Sequence, residues 1–283
     1  MSLIMPGGPE FNRFESNINA TPSTTVPGTA INHGAVAHTK SAYTELIAST
    51  AFDAYLVVVT LCNNSVANGN SATLLDISIG AAAAETVIIP DLMAGFVGDL
   101  SVAFPRYYIF PLYIPAGSRV SARTQSVRTT GSVTCLIQLY GGPGDPDKWW
   151  YGQHVTAYGP NAATSAGVSI TPGGSGAEGT AVSVGTTSAA HGCLVLGIQG
   201  ISTDVAWAAQ AYHFDVGIDT SSTSWLVQDA YYAVSTGNEQ IGQGGPPWWP
   251  IFARIPSGTV IVVGAESSAA SPDVLSCAVY GVS

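Results

Sequence analysis

Residues 75–80 read Leu-Asp-Ile-Ser-Ile-Gly, and 139 positions later residues 214–219 read Phe-Asp-Val-Gly-Ile-Asp. Both stretches alternate apolar with small or polar residues, the period of a strand whose two faces differ, and both place an aspartate second: Asp76 and Asp215. Moving outward at the same offset, Ala54 to Leu61 (AYLVVVTL) lies over Cys193 to Gly200 (CLVLGIQG). Toward the C-terminal side, Ile114-Pro115-Ala116-Gly117-Ser118 meets Ile255-Pro256-Ser257-Gly258-Thr259 at an offset of 141, and Tyr140-Gly141 meets Tyr280-Gly281 at 140. Apolar positions and turn residues keep their order over about a hundred residues, so the chain carries an internal duplication.

Within each copy the apolar runs are short and are broken by Gly, Pro, Asn and Ser, at the roughly 8 to 12 residue spacing of an all-β sandwich. Strands are expected near 43–50, 55–62, 73–80, 86–90, 107–114, 118–125 and 132–140, and again near 181–187, 193–200, 210–218, 225–229, 250–255, 259–265 and 274–281. The fold class that follows is all-β: two tandem jelly-roll-like antiparallel β-sandwiches, with long middle loops serving as Greek-key crossovers. Residues 41–142 and 179–283 are read as the sandwiches. Residues 1–40, rich in Thr, Pro, Gly, Ala and Asn, read as an extended N-terminal arm, and 143–178 as a linker. In the Ile-Pro-x-Gly element, Pro115 and Pro256 fix φ near −65° while Gly117 and Gly258 accept φ > 0; the expectation is a chain reversal closing a late hairpin.

Charged residues make up 9% of the 283, and the net charge is −10. With no basic footprint for phosphates, nucleic acid is excluded as an expected partner. Arg119, Arg123 and Arg128 lie close together and read as solvated charges at a strand edge. The hydrophobic share of 46% gives each half enough apolar area for its own core. Met1 to Phe11 lacks a basic segment followed by a long apolar one, and no apolar run reaches the roughly 20 residues that cross a bilayer, so a soluble chain without a membrane partner is expected. Cys62, Cys135, Cys193 and Cys277 fall in apolar strand-like segments without metal-binding spacing and read as buried free thiols, with one disulfide inside each half as the alternative.

Few residues stand at the spacings that catalysis or metal binding requires. The five histidines stand apart from one another, and no nucleophile elbow, phosphate loop or dinucleotide fingerprint is present. No catalytic residue, no metal and no cofactor is therefore expected, and Asp145, Asp147 and Asp219 do not make an oxygen-rich calcium loop. Asp76 and Asp215 are the acids that the duplication itself nominates. Between apolar neighbours they take the outward phase of a strand, in a structural role that accepts hydrogen bonds from a loop or arm. The aromatic pairs Tyr107-Tyr108 and Trp248-Trp249 superpose at offset 141, and Trp149-Trp150 follows the first copy. Neighbouring residues on a strand face opposite ways, so one of each pair enters the core and the other is offered to a protein interface or a sugar ring.

Leu74 to Ala82 (LLDISIGAA), Val87 to Leu92 (VIIPDL) and Pro111 to Arg123 (PLYIPAGSRVSAR) resemble segments of tailed-bacteriophage virion structural proteins. The likeness covers most of the first copy and, in degenerate form, the second. It implies a non-enzymatic component of the virion, as head decoration, neck or tail protein, made in the host bacterial cytoplasm. Its implied partners are other virion proteins and copies of itself. Three chains of two similar domains would mimic a six-fold ring, so a trimer or ring is expected. The alternative expectation is a carbohydrate-binding or receptor-binding tail module with a host glycan as partner.

Overall fold

The computed structural model of the chain describes residues 11–18, 28–63, 72–94, 106–142, 150–200, 210–219, 224–235, 240–242, 250–270, 272 and 274–283. Among these residues every regular element is a strand. In the first copy these are β1 (Arg13–Ser16), β2 (Thr29–Asn32), β3 (Thr44–Ile47), β4 (Ala54–Asn63), β5 (Thr73–Ile79), β6 (Thr86–Met93), β7 (Arg106–Phe110), β8 (Val120–Ser126) and β9 (Ser132–Gly141). The second copy has β10 (Val155–Tyr158), β11 (Val168–Ile170), β12 (Val182–Thr186), β13 (His191–Gly200), β14 (Gln210–Ile218), β15 (Ser224–Ser235), β16 (Gln240–Gly242), β17 (Ile251–Ile255), β18 (Val260–Ser267) and β19 (Leu275–Val282).

The pairing is nested. β1 and β2 both lie on β9, β3 on β8, β4 on β7 and β5 on β6, all antiparallel. Successive pairs alternate between two sheets, which are completed by β9 on β4 and β8 on β5. A long antiparallel hairpin rolled up in this way is a jelly roll. The second copy repeats the order: β10 and β11 on β19, β12 on β18, β13 on β17, β14 on β15, with β16 added at the edge. Each copy thus has a front sheet (β1, β2, β9, β4, β7 or β10, β11, β19, β13, β17) and a back sheet (β3, β8, β5, β6 or β12, β18, β14, β15, β16).

Two sequence readings change. The segments read as arm and linker supply β1, β2 and β10, β11, which are the first strands of the two front sheets. Strands of three or four residues between Pro-, Gly- and Asn-rich stretches are too short to show a period. The Ile-Pro-x-Gly turn does not close a hairpin either, because β7 is paired to β4 in the front sheet and β8 to β3 and β5 in the back sheet. It is a corner between sheets, with Gly117 at φ 78° and Gly258 at φ 82°. A threonine clasps each corner. Thr50 Oγ1 donates to the Pro115 carbonyl at 2.7 Å and accepts from Ser118 N at 2.9 Å. Thr187 does the same with the Pro256 carbonyl at 2.7 Å and Thr259 N at 2.9 Å.

The cores explain the long apolar runs. On β13 and β19, Leu194, Leu196, Ile198, Leu275, Cys277 and Val279 point into the second sandwich. The alternate residues Cys193, Val195, Ala278, Tyr280 and Val282 join the core that contains the first sandwich. Both faces of β13 and β19 are buried, so these two strands lose the apolar/polar alternation. The two copies are welded through them. Tyr280 Oη accepts from Met93 N at 2.8 Å and donates to the Asp91 carbonyl at 2.9 Å, and Arg106 donates to the Ile198 carbonyl. At Gly197 a Cβ would stand 2.8 Å from the Tyr280 ring, so glycine is what lets that ring lie against the strand.

Candidate functional site

On the back sheet of the first copy Asp76 sits opposite Arg123, on the side away from the sandwich core. It is 2% exposed. The β5–β6 register slips across Asp76, a bulge in which Asp91 takes φ 51° and turns its N–H onto Asp76 Oδ1 at 3.0 Å. Lys40 then donates to Asp76 Oδ1 at 2.8 Å and also to the Asp91 carboxylate, while Arg123 Nε donates to Asp76 Oδ2 at 2.9 Å. The Arg123 guanidinium lies 4.6 Å from the centre of the Tyr43 ring. Two carboxylates meet two cations, and the site is electrically balanced. Arg119 is likewise paired, with Glu45 at 2.8 Å and Glu85 at 3.0 Å, so Arg119 and Arg123 are ion-pair partners and not solvated edge charges.

The second copy repeats the backbone of this site. Asp215, 3% exposed, accepts the N–H of Asp229 at 2.7 Å, and Asp229 has φ 56°. The cations are absent from their places. Asp215 faces Gly264 across the strands where Asp76 faces Arg123. The strand entering the back sheet fixes the second equivalence: Thr44 is opposite Ala122 and Val182 opposite Val263, while Ser41 N donates to the Thr124 carbonyl at 2.7 Å and Gly179 N to the Ala265 carbonyl at 2.9 Å. Lys40 therefore corresponds to Glu178. A Cβ on Gly264 would lie 3.0 Å from the Trp225 ring, which covers the place that an arginine would need.

The outcome is an acidic cluster. Carboxylate oxygens of Glu178, Asp215 and Asp229 lie within 4.8 Å of one another, and so do ligand atoms of His213, Asp229 and Glu266. His213 Nδ1 contacts Glu266 Oε1. The Glu178 carboxyl is pushed above its ordinary pKa by partial desolvation and by the charges of Asp215, Glu266 and Asp229. Burial pushes Asp215 the same way, against the hydrogen bond from Asp229. Sequence spacing hides this constellation, because residues 178, 213, 215, 229 and 266 come from four separate segments. Of its members, sequence nominated only Asp215; the signal that would have found the rest is the reversal of Lys40 to Glu178 at matched positions.

Of the aromatic candidates, Tyr108 is buried between the copies, donates to the Met93 carbonyl at 2.7 Å and meets the Tyr280 ring edge-on at 6.0 Å. Tyr107 faces outward at 36% exposure, and Trp150 is 42% exposed. Trp149, Trp248 and Trp249 lie outside the described residues. A group that sequence did not nominate is Tyr55, Tyr113 and Tyr151, with ring centres 4.9 to 6.0 Å apart, beside Asp53, which accepts from Tyr113 Oη at 3.2 Å. The four thiols are free and buried, and burial pushes their pKa values to about 11 for Cys62 and about 12 for Cys135, Cys193 and Cys277.

No protein-family model matches the chain, and no curated protein matches it. Among solved structures it is similar to one of Sulfolobus turreted icosahedral virus, at 13% identity and TM-score 0.24, covering 90% of this chain and 59% of that chain. It is similar to the tandem CBM22 domains of Paenibacillus barcinonensis Xyn10C, at 10% identity and TM-score 0.23, covering 93% and 99%. It is also similar to PNGase F, a glycosylasparaginase from Flavobacterium meningosepticum, at 9% identity and TM-score 0.30, covering 96% of each chain. The chain thus spans 59% of the virus chain that it matches. These likenesses assign no activity to the chain.

Proposed function

We propose that the chain is a non-enzymatic building block of a virion, of the tailed-bacteriophage kind that its sequence resembles, and that it works through contacts with further copies of itself and with other virion proteins. One observation carries the reading. The outer face of the second copy's front sheet is occupied by the first copy along β13 and β19, around Tyr280, while Phe252 on the edge strand β17 stays 52% exposed. On the first copy's front sheet the matching tyrosine, Tyr140, is only half-buried, under Phe11 and Phe14, and Phe14 and Ile18 stand 54% and 57% exposed. A face that one copy uses for packing is left available on the other, and a second chain is its natural occupant. Native mass measurement on the purified chain should give a closed oligomer, a trimer or ring, which Phe14→Asp together with Ile18→Asp reduces to a monomer. A monomer at all concentrations, with no density for the chain in purified particles, would overturn the reading.

The second reading, a carbohydrate-binding or receptor-binding tail module, is favoured by the Tyr55–Tyr113–Tyr151 group beside Asp53, since tilted rings and a carboxylate suit the faces and hydroxyls of a sugar. It predicts glycan-array signals that Tyr55→Ala and Trp248→Ala weaken; a silent array removes it.

A further inference from the structure

We infer that the second copy binds a hard divalent cation, calcium in class, between Glu178, Asp215 and Asp229, in the place that the Lys40 ammonium takes in the first copy. The inference rests on two observations beyond the acidity of the cluster. First, the matched carboxylates of the first copy already hold a cation: Lys40 Nζ touches both Asp76 and Asp91. The second copy keeps both aspartates, the bulge and the left-handed turn at the second of them, and substitutes Glu178 for the lysine. Second, Asp215 is buried, yet among the described residues only one of its oxygens accepts a hydrogen bond, from Asp229 N; the carboxylate is turned toward Glu178 and Asp229. A carboxylate oxygen that receives no protein donor and faces two like charges is favoured by a cation placed between them.

Geometry and chemistry select the ion. Ligand oxygens at about 2.4 Å from a calcium ion are at most about 4.8 Å apart, and the three side chains satisfy that separation. All three donors are carboxylates, with Glu266 next to them, a set suited to a hard oxygen-seeking ion. No lysine or arginine is paired with Glu178, Asp215 or Asp229 among the described residues. The ion would tie the segment before β12 to β14 and to the β15 bulge, the connection that the Lys40 ammonium makes through ion-paired hydrogen bonds in the first copy.

Calorimetric titration of the chelator-treated full chain with calcium chloride, to about 5 mM, reaches even weak protein calcium sites. The expected result is one Ca2+ per chain and a calcium-dependent rise in the thermal midpoint, with affinity lowered about tenfold or more in Glu178→Gln and in Asp215→Asn. Because Asp215 is buried, Glu178→Lys serves as a second variant: it should abolish calcium binding while leaving the chain in chelator at least as stable as wild type. Absence of any calcium heat or thermal shift overturns the inference. So does calcium binding that survives both Glu178→Gln and Asp215→Asn, or binding of zinc alone that His213→Ala removes. The oligomer measurement on the same preparations is independent, so loss of the assembly reading and loss of the cation site are separable.

Discussion

In the first copy the segment entering the back sheet brings Lys40 to Asp76 and Asp91; in the second the matching segment brings Glu178 to Asp215 and Asp229. The backbone device is common to both, a strand aspartate accepting the N–H of a left-handed aspartate across a bulge. What differs is the source of positive charge. Around it the packing has shifted in step: Val87 and Arg123 in the first copy stand where Trp225 and Gly264 stand in the second. A duplicated fold keeps the hydrogen bond that shapes its strands, whereas the counter-ion to that hydrogen bond is free to diverge.

The largest expected effect breaks the comparison at its shared aspartate. Asp76→Asn leaves Lys40 and Arg123 without their common carboxylate and should destabilise the chain by about 2–3 kcal/mol in urea unfolding, the low end for a broken buried pair because those cations remain 24% and 28% exposed. Asp215→Asn in chelator should cost nothing comparable, since the amide oxygen still accepts Asp229 N and a like charge is removed. Equal losses would mean that the two sites are electrostatically alike. The next effect contrasts the matched tyrosines. Tyr280→Phe strands the buried Met93 N–H and should cost about 1–2 kcal/mol, while Tyr140→Phe changes stability by about 0.5 kcal/mol or less.

A smaller effect sharpens the comparison by conversion. Lys40→Glu with Arg123→Gly gives the first copy the second's charges, and native mass spectrometry should then count a second Ca2+ per chain, bound less tightly than the first. The smallest concerns acid. Burial, with Arg128 nearby, lowers the His33 pKa to about 4, so the unfolded chain takes up a proton at about pH 6.5 that the folded chain refuses. Stability should therefore fall as pH drops from about 6.5 to about 4, and His33→Gln, which can keep a hydrogen bond to Thr124, should flatten that slope in pH-dependent denaturation.

The sandwich strands were readable because residues such as Leu75, Ile77 and Ile79, or Phe214, Val216 and Ile218, recur at period two with turn residues between runs. β1, β2, β10 and β11 were not, because four residues or fewer carry no period and their place in the sheet is set by pairing to β9 or β19. The residue chemistry of the Pro115–Gly117 turn was legible, but its role was not: a turn dipeptide states that the chain bends, while the sheet on either side of the bend is decided by pairings 45 to 78 residues away. At the site, Asp76 and Asp215 announced themselves by repetition. Their partners could not, since Lys40 lies 36 residues from Asp76 and Asp91 lies 15 away, distances that only the folded sheet closes.

Opposite charges stand at matched positions of the two jelly rolls, and a crystal structure of the chain grown in calcium, with anomalous scattering recorded, tests their consequence most directly. It should show one anomalous peak among Glu178, Asp215 and Asp229, and the Lys40 ammonium alone between Asp76 and Asp91. A lysine or arginine seated between Asp215 and Asp229, or an anomalous peak at both aspartate pairs, would contradict it.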